Sequence, residues 1–175
     1  MSTARPYILD SDVFIAAKNS YYAFAICPGF WDSLIHHHSV GDVRSIDRVR
    51  VELLAGCKTE DLVQWVKKQL PTTFFVDTDE EDVTDAYGKV MLWVQGNELY
   101  SEGAKAKFAT EADGWLVAYA MVHDMTVITN EQSRPQASRR VSLPDVCIHF
   151  DVPYENTFAM LGELDVRYEW RRSIS

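Results

Sequence analysis

Short apolar runs alternate with helical stripes along this chain, and that order constrains the fold more than any single motif. Residues 7–10, 43–46, 74–76 and 126–129 read as strands, too far apart in sequence to be joined by tight turns. Between them, apolar residues recur at helical spacing, as in Phe30, Trp31, Leu34 and Ile35, or Val83, Tyr87, Val90 and Val94. Strand, helix, strand, helix, strand specifies an α/β fold on a central parallel sheet, with its sites at the carboxyl ends of the strands.

Punctuation residues refine the helices. Ser11 or Asp12 is the expected cap of the first, Pro28 the first turn of one over about 28–38, and Gly56 the stop of one carrying Ile46, Val49 and Leu53. A helix capped by Thr59 is expected to end before Pro71, and others to cover 101–109, 111–123, 144–149 and 154–163. Residues 132–140 read as an exposed loop. With 175 residues and 47% hydrophobic content, the chain buries one sizeable core. The expected organisation is one domain over 1–150, with 151–175 a helix and tail packed on it or extending it.

Charge and cysteines narrow the class. The net charge is −9, and ten acids against Lys89, Lys105 and Lys107 between Asp77 and Asp113 account for −7 of it. The chain as a whole therefore offers phosphate no general attraction, and a nucleic acid would need a local basic patch. Cys27, Cys57 and Cys147 are far apart with no CxxC, as in a reducing compartment. No basic segment followed by a long apolar one opens the chain, and the longest apolar run, Trp115–Val122, has eight residues. A secretory signal and a membrane span are not expected, and the expected location is cytoplasmic.

Four acids sit where an apolar face or strand ends: Asp10, Glu52, Asp113 and Glu131. Taken singly, each reads as well as a helix cap or a solvated edge. Gathered without cations they would repel, and a hard divalent ion that prefers oxygen ligands, Mg²⁺ or Mn²⁺, is the natural neutraliser. His36-His37-His38 does not read as a zinc site, because adjacent helical residues point in different directions. A solvated helix end fits the triplet; His123 and His149 read as structural.

The opening Asp10-Ser11-Asp12-Val13-Phe14-Ile15, the Glu of Val51-Glu52-Leu53, the Asp of Ala112-Asp113-Gly114-Trp115-Leu116 and the run Val127-Ile128-Thr129-Asn130-Glu131 resemble the PIN-domain nucleases in order and approximate spacing, over about residues 7–150. Within that superfamily, Lys18-Asn19-Ser20-Tyr21-Tyr22, Cys27-Pro28-Gly29-Phe30-Trp31 and Leu143-Pro144-Asp145-Val146-Cys147 look like the DUF4411 group of PIN-like, VapC-like proteins, whose members are largely prokaryotic. The resemblance implies a three-layer α/β/α fold and a metal-dependent endoribonuclease, the toxin of a type II toxin–antitoxin pair. It implies Mg²⁺ or Mn²⁺ as cofactor, RNA as substrate and a cognate antitoxin from a neighbouring gene as partner, with a homodimer as an open option. Asp10, Glu52 and Asp113 become the principal metal ligands and Glu131 a ligand or a positioner of bound water, with cleavage leaving a 5′-phosphate. Two residues depart from the family pattern: Glu131 stands where Asp is common, and Asp12, where Asn or Ser is frequent, is either a helix cap or an auxiliary ligand.

For substrate, Thr129 and Asn130 either bond the carboxylates or the RNA, or only shape the turn. Lys18, Arg48 and Arg134 are the leading basic contacts; Arg44, Arg50, Lys105, Lys107, Arg139 and Arg140 also lie near proposed ligands in sequence. Surface solvation explains each cation equally well. Tyr21 and Tyr22 would stack a base or be buried. Two other functions stay open. Asp10-x-Asp12 after a strand fits a haloacid-dehalogenase-type phosphatase, with Asp10 as nucleophile and Asp12 as acid/base, although the downstream Lys and paired Asp motif of that chemistry are not found. The other is a non-catalytic PIN-like module that binds RNA or a regulator. The basic-aromatic tail Arg167–Arg172 would dock a partner.

Overall fold

The expected strands all fall into one sheet in the computed structural model, which describes residues 5–57 and 60–172. They are β1 (Tyr7–Leu9), β2 (Val43–Ile46), β3 (Phe75–Val76) and β4 (Thr126–Ile128), joined at one edge by β5 (Tyr154–Glu155). The order is β3-β2-β1-β4-β5 with every pairing parallel, Tyr7 facing Val43 on one side of β1 and Leu9 facing Ile128 on the other. The chain winds outward from β1 to β3 and then returns to start β4 on the far side of β1. That reversal opens a crevice at the carboxyl ends of β1 and β4. Every residue of β1 and β4 is buried, which explains why both read as unbroken apolar runs: the sheet is covered on both faces in an α/β/α arrangement.

The helices are α1 (Ser11–Ala16), α2 (Pro28–Ser39), α3 (Asp47–Leu54), α4 (Asp61–Lys68), α5 (Glu81–Gly96), α6 (Glu102–Thr110), α7 (Asp113–His123), α8 (Leu143–His149) and α9 (Thr157–Glu163). α1 packs on α3 and α3 on α4, while α7 packs against α5, α6 and α8. Val13 and Phe14 anchor α1 in the core, each fully buried and each contributing about 2 kcal/mol. Phe14 meets Trp65 and Phe74, and Trp65 in turn crosses Trp31 edge to face at 4.9 Å. A π-helical turn, Ala17–Tyr21, continues α1 and widens it, with Tyr22 N–H donating to the Ala17 carbonyl.

Several local expectations are corrected. The cap of α1 is Asp10, in extended conformation and accepting from Ser11 N–H, not Ser11 or Asp12. The expected cap Thr59 lies outside the described residues, and α4 begins at Asp61 after an extended Glu60. α7 starts at Asp113, not 111, because Glu111 is the extended cap that ends α6. The helix expected over 154–163 is a two-residue strand followed by α9, since Val127 and Thr129 donate to the Pro153 and Glu155 carbonyls and draw that segment onto β4. β5 therefore joins the sheet although it lies beyond residue 150. The histidine triplet is only partly a solvated end: His37 bonds Asp42, and His38 bonds the Val43 carbonyl and Thr73. No helix among the described residues is long and apolar enough to cross a membrane.

Candidate active site

The crevice holds a cavity of about 370 Å³ whose wall includes Asp10, Asp12, Glu52, Asp113 and Glu131. The five acids arrive from four places in the fold. Asp10 leaves β1 as the cap of α1, Asp12 lies in its first turn, Glu52 projects from α3, Asp113 opens α7, and Glu131 follows β4.

Asp10 is 3% exposed and both its oxygens are engaged, Oδ1 by Ser11 N–H at 2.6 Å and Oδ2 by the Thr129 hydroxyl at 3.0 Å. Asp12 turns to the end of β4, where its Oδ2 accepts from Asn130 N–H at 2.9 Å and lies 3.3 Å from the Thr129 hydroxyl. Its Oδ1 is buried without a hydrogen-bond partner. Glu52 Oε1 accepts from Ala112 N–H at 2.8 Å, the residue that caps α7. Glu131 is held by Arg140, with which it forms an ion pair, and by Leu143 N–H at 3.2 Å.

Burial and crowding make Asp10, Asp12 and Asp113 reluctant anions. The Asp113 carboxyl is pushed up to about 8, first by burial and then by the charges of Glu131, Glu111 and Glu52, with Arg140 opposing. Asp10 is raised well above the usual carboxylate range by burial, then by Asp113 and Asp12. Asp12 is raised too, by burial, with Asn130 N–H countering.

Chemically this set suits a hard divalent ion. All the donors are oxygens, the partnerless Asp12 Oδ1 awaits a positive neighbour, and the raised acids need a cation to ionise together. As the side chains lie, no three His, Cys, Asp or Glu among the described residues close around one point. Glu52 turns Oε1, and Glu131 both of its oxygens, to protein donors.

The family model described as a domain of unknown function, DUF4411, matches residues 7–168. The chain belongs to the DUF4411 family. Its fold is PIN-like. VapBC2 from Rickettsia felis, solved bound to a DNA fragment from its promoter, superposes over 86% of this chain and 97% of its own at TM-score 0.51 and 14% identity. FitAcB from Neisseria gonorrhoeae superposes over 87% of this chain and 98% of its own, at TM-score 0.53 and 17% identity. Comparison with curated protein sequences gives no match.

The DUF4411 chain disposes of its expected substrate residues unevenly. Thr129 is 1% exposed and spends its hydroxyl on Asp10 and Asp12, which makes it a holder of carboxylates. Asn130 donates its N–H to Asp12 and accepts at Oδ1 from the N–H and hydroxyl of Thr157. Lys18 pairs with Glu60, and Arg48 lies 3.8 Å over the Trp115 ring with its Nε donating to Thr78, so both are committed elsewhere. Lys105 is buried, donating to the Gln95 carbonyl and Glu102. Arg134 borders an adjoining cavity beside Glu131, and Arg140 lines both that cavity and the acidic one. Glu111, Ser11, Asn19 and Ser20 also line the wall, none of them expected there from sequence. Only Glu111, two residues before Asp113, carried a legible signal; Asn19 and Ser20 reach the cavity through the π-helical turn.

Proposed function

We propose that this protein is a metal-dependent endoribonuclease using Mg²⁺ or Mn²⁺, the toxin of a type II pair restrained by an antitoxin encoded beside it. The observation that carries this reading is the gathering of Asp10, Glu52, Asp113 and Glu131, far apart in sequence, in one cavity at the carboxyl edge of the sheet. Likeness of fold to VapBC2 and FitAcB, PIN-domain toxin–antitoxin proteins, supports it.

Asp10, Asp12 and Asp113 would hold the ion, with Glu52 through its second oxygen and Glu131 as a ligand or a positioner of water. When bound, the ion supplies a Lewis acid for the scissile phosphate and its attacking water. Thr129 keeps Asp10 and Asp12 in register across the crevice. Glu52 sets the first turn of α7 and so aims Asp113. Arg140 is the cation on the cavity wall that would receive a phosphate oxygen. The phosphatase chemistry has less support, since the cation on the wall is an arginine, not a lysine.

Asp10→Asn and Asp113→Asn should each lower Mn²⁺-dependent cleavage of single-stranded RNA by roughly a hundredfold or more, with cooperative melting retained. Wild-type rates in either variant would overturn the assignment. A burst of aspartyl-phosphate would point instead to a phosphatase, and tight RNA binding without turnover in Mn²⁺ to a binding module. Co-purification with the product of the neighbouring gene tests the antitoxin.

A further inference from the structure

We infer that a second cavity, walled by Tyr21 and Phe158 beside the acids, is a stacking pocket for the base next to the scissile phosphate of a single-stranded RNA. This rests on the nuclease reading. The cavity measures about 420 Å³, within the range of small-ligand sites, and is lined also by the turn after β4 and by β5. Glu131 belongs to both its wall and that of the acidic cavity, so the two cavities adjoin at that residue.

Tyr21 and Phe158 are 57% and 50% exposed, so the cavity presents an aromatic pair to water. Their rings meet edge to face at 5.2 Å and 87°, an arrangement that leaves one ring face open to a planar guest. Both are held firmly from behind. Tyr21 ends the π-helical turn and touches Tyr22, which stacks on Phe30 at 4.5 Å. Phe158 sits in the first turn of α9, where Asn156 caps Ala159 N–H and Thr157 donates to Asn130 Oδ1. Asn130 in turn donates its N–H to Asp12. A line of hydrogen bonds therefore ties α9 and Phe158 to Asp12, while Tyr21 follows Asp12 on the π-helical extension of α1, as a site that must register a base against a phosphate requires.

The pocket also answers a difficulty of charge. A chain of net charge −9 with acids in its cavity gains little affinity from phosphates, and stacking supplies binding that does not depend on them. Stacking tolerates any base, with the exposed Gln132 and Glu155 at the wall available to its edge.

The test measures binding of a short fluorescein-labelled single-stranded RNA of mixed sequence to the full chain carrying Asp113→Asn, which stops turnover. Adding Tyr21→Ala or Phe158→Ala should raise Kd by roughly five- to a hundredfold, whereas Tyr21→Phe should bind as the parent does. In the turnover-competent chain the same alanine variants should raise KM and leave kcat within about twofold. If both alanine variants bind and cleave like their parents, the pocket is overturned while the nuclease stands. If the unaltered chain never cleaves but its RNA affinity falls with Tyr21→Ala, the nuclease reading fails and the stacking surface stands. Variants that keep RNA affinity but lose the co-purifying antitoxin would make this face a protein dock, again overturning the inference.

Discussion

Thr129 has one hydroxyl proton and two carboxylates within reach. That proton is shared between Asp10 at 3.0 Å and Asp12 at 3.3 Å, while its oxygen accepts from Glu131 N–H at 3.2 Å. Thr129→Val keeps the shape and removes that donor, so a buried carboxylate loses its bond and costs about 1–3 kcal/mol. We expect a lower melting temperature without metal and a roughly tenfold weaker Mn²⁺ affinity by calorimetric titration, the usual scale for groups that orient ligands. Unchanged affinity and melting would show that Thr129 only shapes the turn. Sequence alone left bonding to carboxylate, bonding to substrate and turn-making on equal terms, because the choice depends on where β1 ends relative to β4. The same blindness applies to the cations. Lys18 and Arg48 stand near ligands in sequence, yet Glu60 and Trp115, supplied by other elements, take them up.

At the scale of elements, α7 is the most demanding, for its first turn must carry Asp113 into the cavity. Gly114 makes that approach possible: a Cβ there would lie 2.9 Å from the Tyr87 ring and 3.2 Å from Phe108. Tyr87 cannot easily yield, since it stacks on Trp115 at 3.9 Å and 10°. Gly114→Ala gains about 1 kcal/mol of helix propensity against about 1–3 kcal/mol of overpacking. The expected outcome is a modest loss of stability and a larger loss of kcat as Asp113 shifts, read by melting and by steady-state RNA cleavage; equal or higher kcat with higher stability would contradict it. The apolar periodicity of α7 was legible, and so was Asp113 at the head of its buried face. Its true start was not, because whether Glu111 ends α6 or begins α7 is a matter of backbone conformation. β5 was illegible for another reason: two residues carry no periodicity, and only pairing with β4 makes them a strand.

On the scale of the whole molecule, the sheet order decides the electrostatics. The sequence specified parallel strands but not that β1 lies at the centre with β4 beside it, and it is this adjacency that brings Asp10, Asp12 and Glu131 to one place. Folding therefore concentrates carboxylates, and stability should record it. The Asp113 carboxyl rises from 3.8 in the unfolded chain to about 8 in the fold, so between those values the folded state holds a proton that the unfolded state has lost. Stability from this group is complete below about pH 4 and is lost as pH rises through about 8, the reverse of an ion-paired carboxylate. The discriminating window lies above about pH 6, where ordinary carboxylates have finished titrating. In the presence of a chelator, the free energy of unfolding from urea titrations should fall by on the order of a few kcal/mol between about pH 6 and about pH 8. Saturating Mn²⁺ should flatten that slope and raise the melting temperature more at the alkaline end, because an ion binds only the deprotonated acids. A chelated protein whose stability rises across this window, or a Mn²⁺ effect larger at acid pH, would mean that Asp113 is already ionised and paired inside the fold, and would remove the electrostatic case for a metal at this site.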